Sequence, residues 1–560
     1  MAKIYLVTLA KETKSPFEPK SDEVAVKEEK KGSVEKKDSK PDSGSAKKEG
    51  DSKVDKDGLQ QRITVLPIRA SGYRNLQSVG QKLYYLRQGL HDERAKLFLF
   101  ELDKKKETEL GDINGYEISA DGKKMLVSQT GSYGIIDLPS SRIEIKDRLD
   151  LSDMKVKLDK HAEWEQIFSE SWRQMRDFFY DPNLHKVDWP NMKKRYSALL
   201  PFVNHRADLT YIIGEMISEL SAGHAYVGGG DMPRPERIQQ GLLGAQLKKD
   251  VSGFYKITRI LKGQNWDNAL RSPLTEIGVD VKEGEYILAV NGNSTAEMAD
   301  IYEALVNTAG KQVTLKVNKE PKNEGSRNVV MVPTANEQSL YYLNWVQNNI
   351  DKVAKATSGK VGYLHVPDMG VPGLNEFAKY YYPQLRKEAL IIDCRGNGGG
   401  NVSPMIIERL RREIAMIGIS RGGIPTIDPG GTVLGPKVLL IDEFSASDGD
   451  IVAYRFRQHK LGTIIGKRSW GGVVGIRGTL PFLDGGVLNR PEFSRYDIEG
   501  KEWIMEGVGI EPDIVVDNDP AKEYAGEDQQ LEKAIQVVLE QMKSKPAKLM
   551  LPPPYPDKKK

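Results

Sequence analysis

At 560 residues the chain is long enough for roughly three to four domains, which excludes a single small module. Its 82 Lys and Arg against 79 Asp and Glu leave a net charge of +3, so no global field exists to steer nucleic acid or to hold an anionic membrane. No run approaches the roughly 20 apolar residues that span a bilayer, and the one cysteine, Cys394, excludes an internal disulfide framework and a Cys-based zinc cluster.

The first ten residues lack the basic start, apolar run and small-residue cleavage site of a signal peptide. A cytoplasmic setting is therefore expected, or a periplasmic one if a signal lies upstream of this chain. Lys3 to Leu9 (KIYLVTL) alternates as a strand and starts abruptly, as the remainder of a longer protein would, so residues 1–12 are read as an isolated propeller strand. From Lys20 to Gly58 there are 11 lysines, 11 acidic residues and no aromatic residue, too little apolar surface to offset conformational entropy. Residues 13–60 are accordingly expected to be a disordered charged loop.

Six short apolar runs follow at roughly ten-residue spacing: ITVLPI, KLYYLRQ, LFLFEL, GYEIS, MLVSQ and YGIIDL, with a tight turn at Ala120-Asp121-Gly122. Residues 61–147 therefore read as an all-β, propeller-like part of about one and a half blades. Beyond Arg148 the period becomes helical. Trp164, Ile167, Phe168, Trp172 and Met175 recur at three- and four-residue steps, and Leu209, Ile212, Ile213, Met216 and Ile217 repeat the pattern. Residues 148–236 form a helical core subdomain in this reading, with His224 just past a helix end at Ser221-Ala222-Gly223.

Residues 237–335 read as a β-rich module: GLLGAQL, YKITRIL, EGEYILAVNG, a helix around Ile301 to Thr308, KQVTLKV and RNVVMVP. The module resembles a PDZ domain, and that resemblance makes Gly241, Leu242, Leu243 and Gly244 an exposed loop whose amides take a peptide carboxylate. A spacer that binds nothing is the equally weighted alternative. Residues 336–545 alternate strands with helices, which predicts an α/β core subdomain with a mostly parallel sheet, and 546–560 is a flexible tail.

In such a sheet functional loops lie at the strand C-terminal ends. Two fall there, Arg395-Gly396-Asn397-Gly398-Gly399-Gly400 and Ser445-Ala446-Ser447-Asp448. A serine between a buried strand and a helix serves either as an N-cap or as a nucleophile. A nucleophile also needs N–H donors for the developing oxyanion, and a glycine run lets backbone approach closely enough to supply them. Phosphate binding is disfavoured, because neither G-x-x-x-x-G-K-[ST] nor G-x-G-x-x-G opening a helix is present.

For a base there are seven histidines. His91, His161, His185 and His459 sit in polar contexts read as exposed, His205 follows a turn, and His365 lies in an apolar strand as a core residue. His224, at a helix end among small residues, is the candidate. No H-E-x-x-H pair exists, so neither a metal nor a cofactor is expected.

The motifs SAGHAY, DCRGNGGG, EFSASDGD, GKRSWGGVVGI and EGVGIEPDI, in this order, resemble the tricorn-type serine proteases, a branch of the tail-specific, C-terminal-processing family. The resemblance covers about Leu158 to Met542. It implies Ser447 as nucleophile, His224 as general base, Glu506 as orienting acid, and the N–H groups of Gly400 and Asp448 as oxyanion donors. It further implies peptide substrates and a homo-oligomer, for which a hexamer is the state it suggests. Two departures stand out: Gly223 occupies the place of a family serine, and Ile417-Gly418-Ile419 lacks the family's acidic residue for basic side chains. A Ser/Lys dyad using Lys460 or Lys467 is the mechanistic rival. A catalytically inactive peptide-binding scaffold is the functional one.

Overall fold

The alternation that opens the chain becomes β1 (Tyr5–Val7), which pairs antiparallel with β2 (Ile63–Val65), Tyr5 opposite Val65. The computed structural model describes residues 2–18, 53–89, 92, 94–504, 506–544 and 549–558. Most of the expected charged loop and His91 lie outside them. The described ends of that loop are tied: the Asp55 N–H donates to Leu9 O at 3.0 Å, and the Asp55 carboxylate accepts from the Lys11 N–H at 2.8 Å. The chain divides into two units, Met1–Lys157 and Leu158–Lys560.

In the first unit β3 (Gly72–Val79), β4 (Lys82–Gln88), β5 (Lys96–Glu101) and β6 (Lys106–Asp112) form an antiparallel meander. β7 (Gly115–Ile118), β8 (Lys124–Gln129) and β9 (Ser132–Asp137) form a second one, and neither sheet closes on itself. β3 and β6 were not among the six strands expected. GYRNLQSV and KETELGD carry no apolar run, and what holds them is pairing to the buried β4 and β5. The turn at Ala120-Asp121-Gly122 forms as expected, with the Gly122 N–H donating to Ser119 O at 2.8 Å.

Near the start of the second unit, the side chain of Asp159 caps α1 (Lys160–Phe178) by accepting from the N–H groups of His161 and Ala162. With α2 (Trp189–Ser197) and α3 (Arg206–Ser218) it buries the predicted stripe, Ile167, Phe168 and Met175 packing with Leu209, Ile213 and Met216. β10 (Tyr226–Gly228) then pairs antiparallel with residues 487–489, so a strand from far along the chain closes the helical layer.

β11 (Ala245–Lys249), β12 (Tyr255–Ile260), β13 (Tyr286–Val290), β14 (Asn293–Ser294), β15 (Val313–Asn318) and β16 (Arg327–Met331) make one antiparallel sheet. Its order is β11-β12-β13-β15-β16, which leaves β11 at an edge. The helix expected around Ile301 to Thr308 is instead a 3-10 stretch, Ile301–Leu305, which buries Ile301 and Leu305 and stops before Asn307 turns to φ +58°.

The α/β part runs α4 (Gln338–Ala356), β17 (Val361–His365), α5 (Val371–Tyr381), β18 (Ala389–Asp393), α6 (Ser403–Leu410), the hairpin β19 (Met416–Gly418) and β20 (Thr426–Asp428), then β21 (Lys437–Ile441). It continues with α7 (Asp448–Gln458), β22 (Gly462–Gly466), β23 (Val487–Asn489, the partner of β10), β24 (Ile514–Val515), α8 (Pro520–Tyr524) and α9 (Gln529–Ser544). The sheet β17-β18-β21-β22-β24 is parallel throughout. β17, β18 and β21 are buried along their whole length, as a sheet covered on both faces requires. No helix among the described residues is long and apolar enough to cross a membrane.

Candidate active site

The loop after β21 separates its two serines by role. Ser445 is fully buried, donates to Cys394 O at 2.8 Å and accepts from the Asp442 N–H at 3.1 Å, so it fastens the loop to the neighbouring strand end. Ser447 stands at the N-cap of α7 with φ +57° and ψ −118°, and its side chain makes no capping bond. A serine pays about 1–3 kcal/mol for such a conformation. The position is thus imposed by its surroundings and leaves a half-exposed hydroxyl at the positive end of a helix.

Those surroundings are the glycine run after β18. A Cβ on Gly399, itself at φ +91°, would lie 2.5 Å from Ser447 Cβ and 3.1 Å from Asp448 N, so only glycine lets the two loops meet. Met369 bridges to the next residue: its N–H donates to Gly399 O at 2.8 Å and its carbonyl accepts from the Asn401 N–H at 2.7 Å. That pattern leaves the Gly400 N–H on the opposite side of the chain. The Asp448 carboxylate is turned away to α6, accepting from the Ser403 N–H at 2.8 Å and its hydroxyl at 2.6 Å. Its own N–H, the first of α7, has no intrahelical acceptor.

His224 follows α3 through a turn, at φ +61°. Its half-buried ring meets Trp470 edge-on, with centroids 5.8 Å apart, and lies 6.1 Å from that of Tyr226. Burial holds its pKa below the ordinary histidine value; the Glu506 charge opposes this and the Arg495 charge adds to it. Glu506 reaches the histidine loop through backbone. Oε1 accepts from the Gly223 N–H at 2.7 Å, and Oε2 accepts from the N–H groups of Val473 at 2.7 Å and Val474 at 3.0 Å. Nδ1 of His224 is buried with no partner among the described residues, so the carboxylate does not engage the ring. At the family-serine position, a Cβ on Gly223 would sit 3.2 Å from Glu506 Oε1 and 3.1 Å from Gly472 Cα.

Serine and histidine loops share a support. The Trp470 N–H donates to Ser445 O at 3.1 Å and the Gly471 N–H to Asp450 Oδ1 at 2.8 Å, tying this segment to the serine loop. Trp470 and Gly472 pack on the histidine side of the same segment. Among the described residues no hydrogen bond joins Ser447 to His224. Such bonds are often long or misaligned without substrate.

The other histidines are committed elsewhere. His365 is buried, with Nδ1 bonded to the Tyr342 hydroxyl and Nε2 to Arg395 O, both at 2.9 Å. His185, expected to be exposed, is half-buried, with its ring between the Tyr180 hydroxyl at 2.6 Å and Leu220 O at 2.7 Å. His205 caps α3, His161 packs edge-on against Trp164, and His459 follows α7. Lys467 is ion-paired with Glu443 at 2.7 Å and Asp517 at 3.2 Å, and the Glu443 hydrogen bond raises its pKa, the wrong direction for a base.

The loop Gly241 to Gly244 differs from its expected exposure: Gly241, Leu243 and Gly244 are buried and Leu242 is half-buried. Three of its four amides already have acceptors. The Gly241 N–H donates to Leu305 O at 2.9 Å, the Leu242 N–H to Thr334 O at 2.8 Å, and the Gly244 N–H to Glu337 Oε1 at 2.6 Å. A buried carboxylate of the chain itself thus sits where a peptide carboxylate was expected. Nothing in the local sequence marks Glu337, which lies 93 residues beyond Gly244.

Three protein-family models match the second unit: Tricorn protease C1 domain over residues 160–218, Tricorn protease PDZ domain over 241–336, and Peptidase family S41 over 360–516. Tricorn protease homolog 1 of Streptomyces coelicolor is 34% identical over 99% of this chain and 52% of its own length. The Tricorn protease of Thermoplasma volcanium is 30% identical over 85% of this chain and 47% of its own length. A crystal structure of the tricorn protease matches with a TM-score of 0.80 at 26% identity, covering 88% of this chain and 48% of that one. The chain spans about half the length of these relatives.

Proposed function

Because the chain belongs to the tricorn-type proteases of peptidase family S41, we propose that it hydrolyses peptides through an acyl-enzyme on Ser447. The observation that carries this reading is a serine hydroxyl with no hydrogen bond among the described residues, held at positive φ at the start of α7 by Gly399. A serine serving only as a cap would spend its oxygen on the helix. Here it does not.

In the proposed reaction His224 takes the Ser447 hydroxyl proton as the oxygen attacks the scissile carbonyl carbon. The N–H groups of Gly400 and Asp448 receive the oxyanion. Collapse breaks the C–N bond, and the leaving amine takes the proton from His224. Water, deprotonated by the same imidazole, then releases the acid product and regenerates the serine. Burial of His224 favours the neutral ring that a base requires. Glu506 contributes through the main chain, fixing the Gly223 peptide and so the turn that presents His224. The ion pairs of Lys467 favour His224 over a Ser/Lys dyad built on that lysine.

The same proposal takes β3 to β6 as a propeller blade, residues 148–236, 237–335 and 336–545 as the three divisions of the protease part, and an aqueous compartment with a homo-oligomer as the working state. The scaffold alternative is disfavoured by Glu337, which occupies the loop such a scaffold would use. A fluorophosphonate probe tests the main claim. Labelling is expected at Ser447 by peptide mapping and absent in Ser447→Ala. Near-normal peptide hydrolysis by His224→Ala would overturn the assigned base.

A further inference from the structure

Beside the histidine loop stands a cation that the proposed acyl transfer does not use. Arg495 is half-buried, with Nη1 donating to Val473 O at 2.9 Å and the guanidinium carbon 5.3 Å from the Phe493 ring centroid. The N–H of the same Val473 donates to Glu506, so Arg495 is anchored to the strand of backbone that supports the Gly223-His224 turn.

Its neighbours have counter-charges, and among the described residues it has none. Arg490 pairs with Glu492 at 2.5 Å, and Arg455 lies 3.8 Å from Asp448 Oδ1. Among the described residues no carboxylate stands within ion-pair distance of Arg495, and its Nε and Nη2 have no hydrogen-bond acceptor. Burial depresses its proton affinity, and its charge is felt at Asp448 on the serine loop and at His224. A desolvated guanidinium without a partner is costly to maintain. The free Nε–Nη2 edge is also the fork that takes a carboxylate in two parallel bonds.

We propose that Arg495 is a specificity-determining residue that receives a substrate carboxylate close to the scissile bond. This rests on the peptidase reading above. The carboxylate comes from an acidic side chain flanking the bond or from the C-terminus of the peptide, and the test separates the two. Arginine is required rather than lysine, because one edge is already spent on Val473 and only a planar fork has a second edge to offer.

Two peptide pairs suffice, one differing by Glu against Gln beside the cleaved bond, the other by a free against an amidated C-terminus. For one pair the wild-type kcat/KM is expected to favour the carboxylate member at least tenfold, and in Arg495→Gln the ratio should fall towards one. Arg495→Lys should recover only part of it. The pair that responds identifies the source. An unchanged ratio in folded Arg495→Gln, or a parallel loss on both members, overturns the proposal. Anisotropy binding of the same peptides to Ser447→Ala, with and without Arg495→Gln, reads the preference independently of turnover. A tenfold loss for the carboxylate member supports the inference even where hydrolysis is undetected, and equal binding refutes it. Failure of the peptidase reading would register separately, as absent fluorophosphonate labelling of the wild-type protein.

Discussion

Adding one methyl group between the glycine run and the serine loop should disable the site without unfolding the protein. In Gly399→Ala the new Cβ would lie 2.5 Å from Ser447 Cβ and 2.8 Å from Ala446 O, about 0.9 Å short of ordinary van der Waals contact with the serine. Neither neighbour is the end of a flexible side chain, so the serine loop must move by a large part of that distance. A displacement near 1 Å at a reacting group costs about 100-fold in rate, or about 2.7 kcal/mol of transition-state stabilisation. Holding alanine at φ +91° adds about 1–3 kcal/mol of ground-state strain, read as a lowered Tm. Gly398→Ala is the control, since a Cβ there has nothing within 4 Å and no positive φ to strain. The assay is kcat/KM on a fluorogenic peptide, with the rate of fluorophosphonate labelling at Ser447 and thermal unfolding of both variants. Gly399→Ala should lose about 100-fold in both rates, and Gly398→Ala should stay within about threefold. Equal behaviour of the two folded variants would refute the close approach of the loops.

Other outcomes follow from the electrostatics and the borrowed hydrogen bonds. Because burial lowers the His224 pKa, its neutral form persists to lower pH than an ordinary histidine's, and the midpoint of the acid limb of kcat/KM should lie below about pH 6.5. Removing the positive charge in Arg495→Gln should move that acid limb up, and removing the negative charge in Glu506→Gln should move it down; shifts in the opposite sense would contradict the placement of both charges. Glu506→Gln should also cost stability of about 1–3 kcal/mol by urea unfolding, because its NH2 would face at least one of three N–H donors now held by carboxylate oxygens. Glu337→Ala should free the Gly244 N–H and let the full chain bind a peptide with a free C-terminus at least about tenfold more tightly by calorimetry, with no gain for the amidated peptide. No gain in the folded variant would mean that this loop is not a carboxylate site.

How much of this was legible in the sequence depended on whether a feature is local. The stripe at Ile167, Phe168 and Met175 and the buried runs of β17, β18 and β21 announce themselves, since periodicity and run length are properties of neighbouring residues. The polar strands β3 and β6 do not, because their only cause is a hydrogen-bonded partner already in place. The loops carrying Ser447 and Gly399 could be located from strand-to-helix alternation. That Gly399 rather than Gly398 touches the serine could not, because adjacent glycines carry no sign of which faces the neighbouring strand end. Glu337, Trp470 and Arg495 were missed for the same reason: each acts on a segment that reaches it only through the fold.

The departure at Gly223 illustrates how a pattern can lose a residue and keep a connection. A serine there would offer a hydroxyl between the acid and the histidine. Glycine offers only its N–H, and Glu506 takes it at 2.7 Å while two further amides, of Val473 and Val474, fix the other carboxylate oxygen. Three backbone bonds to one side chain immobilise both the turn before His224 and the segment after Trp470, whose indole meets the imidazole ring. The histidine is thus oriented by what surrounds it, and Nδ1, buried and without an acceptor among the described residues, gains no direct stabilisation of its protonated form from the acid. In the proposed reaction, positioning and charge stabilisation, which a single carboxylate–imidazole bond would combine, would therefore be separated, with Glu506 supplying the first through the backbone and the second only through space.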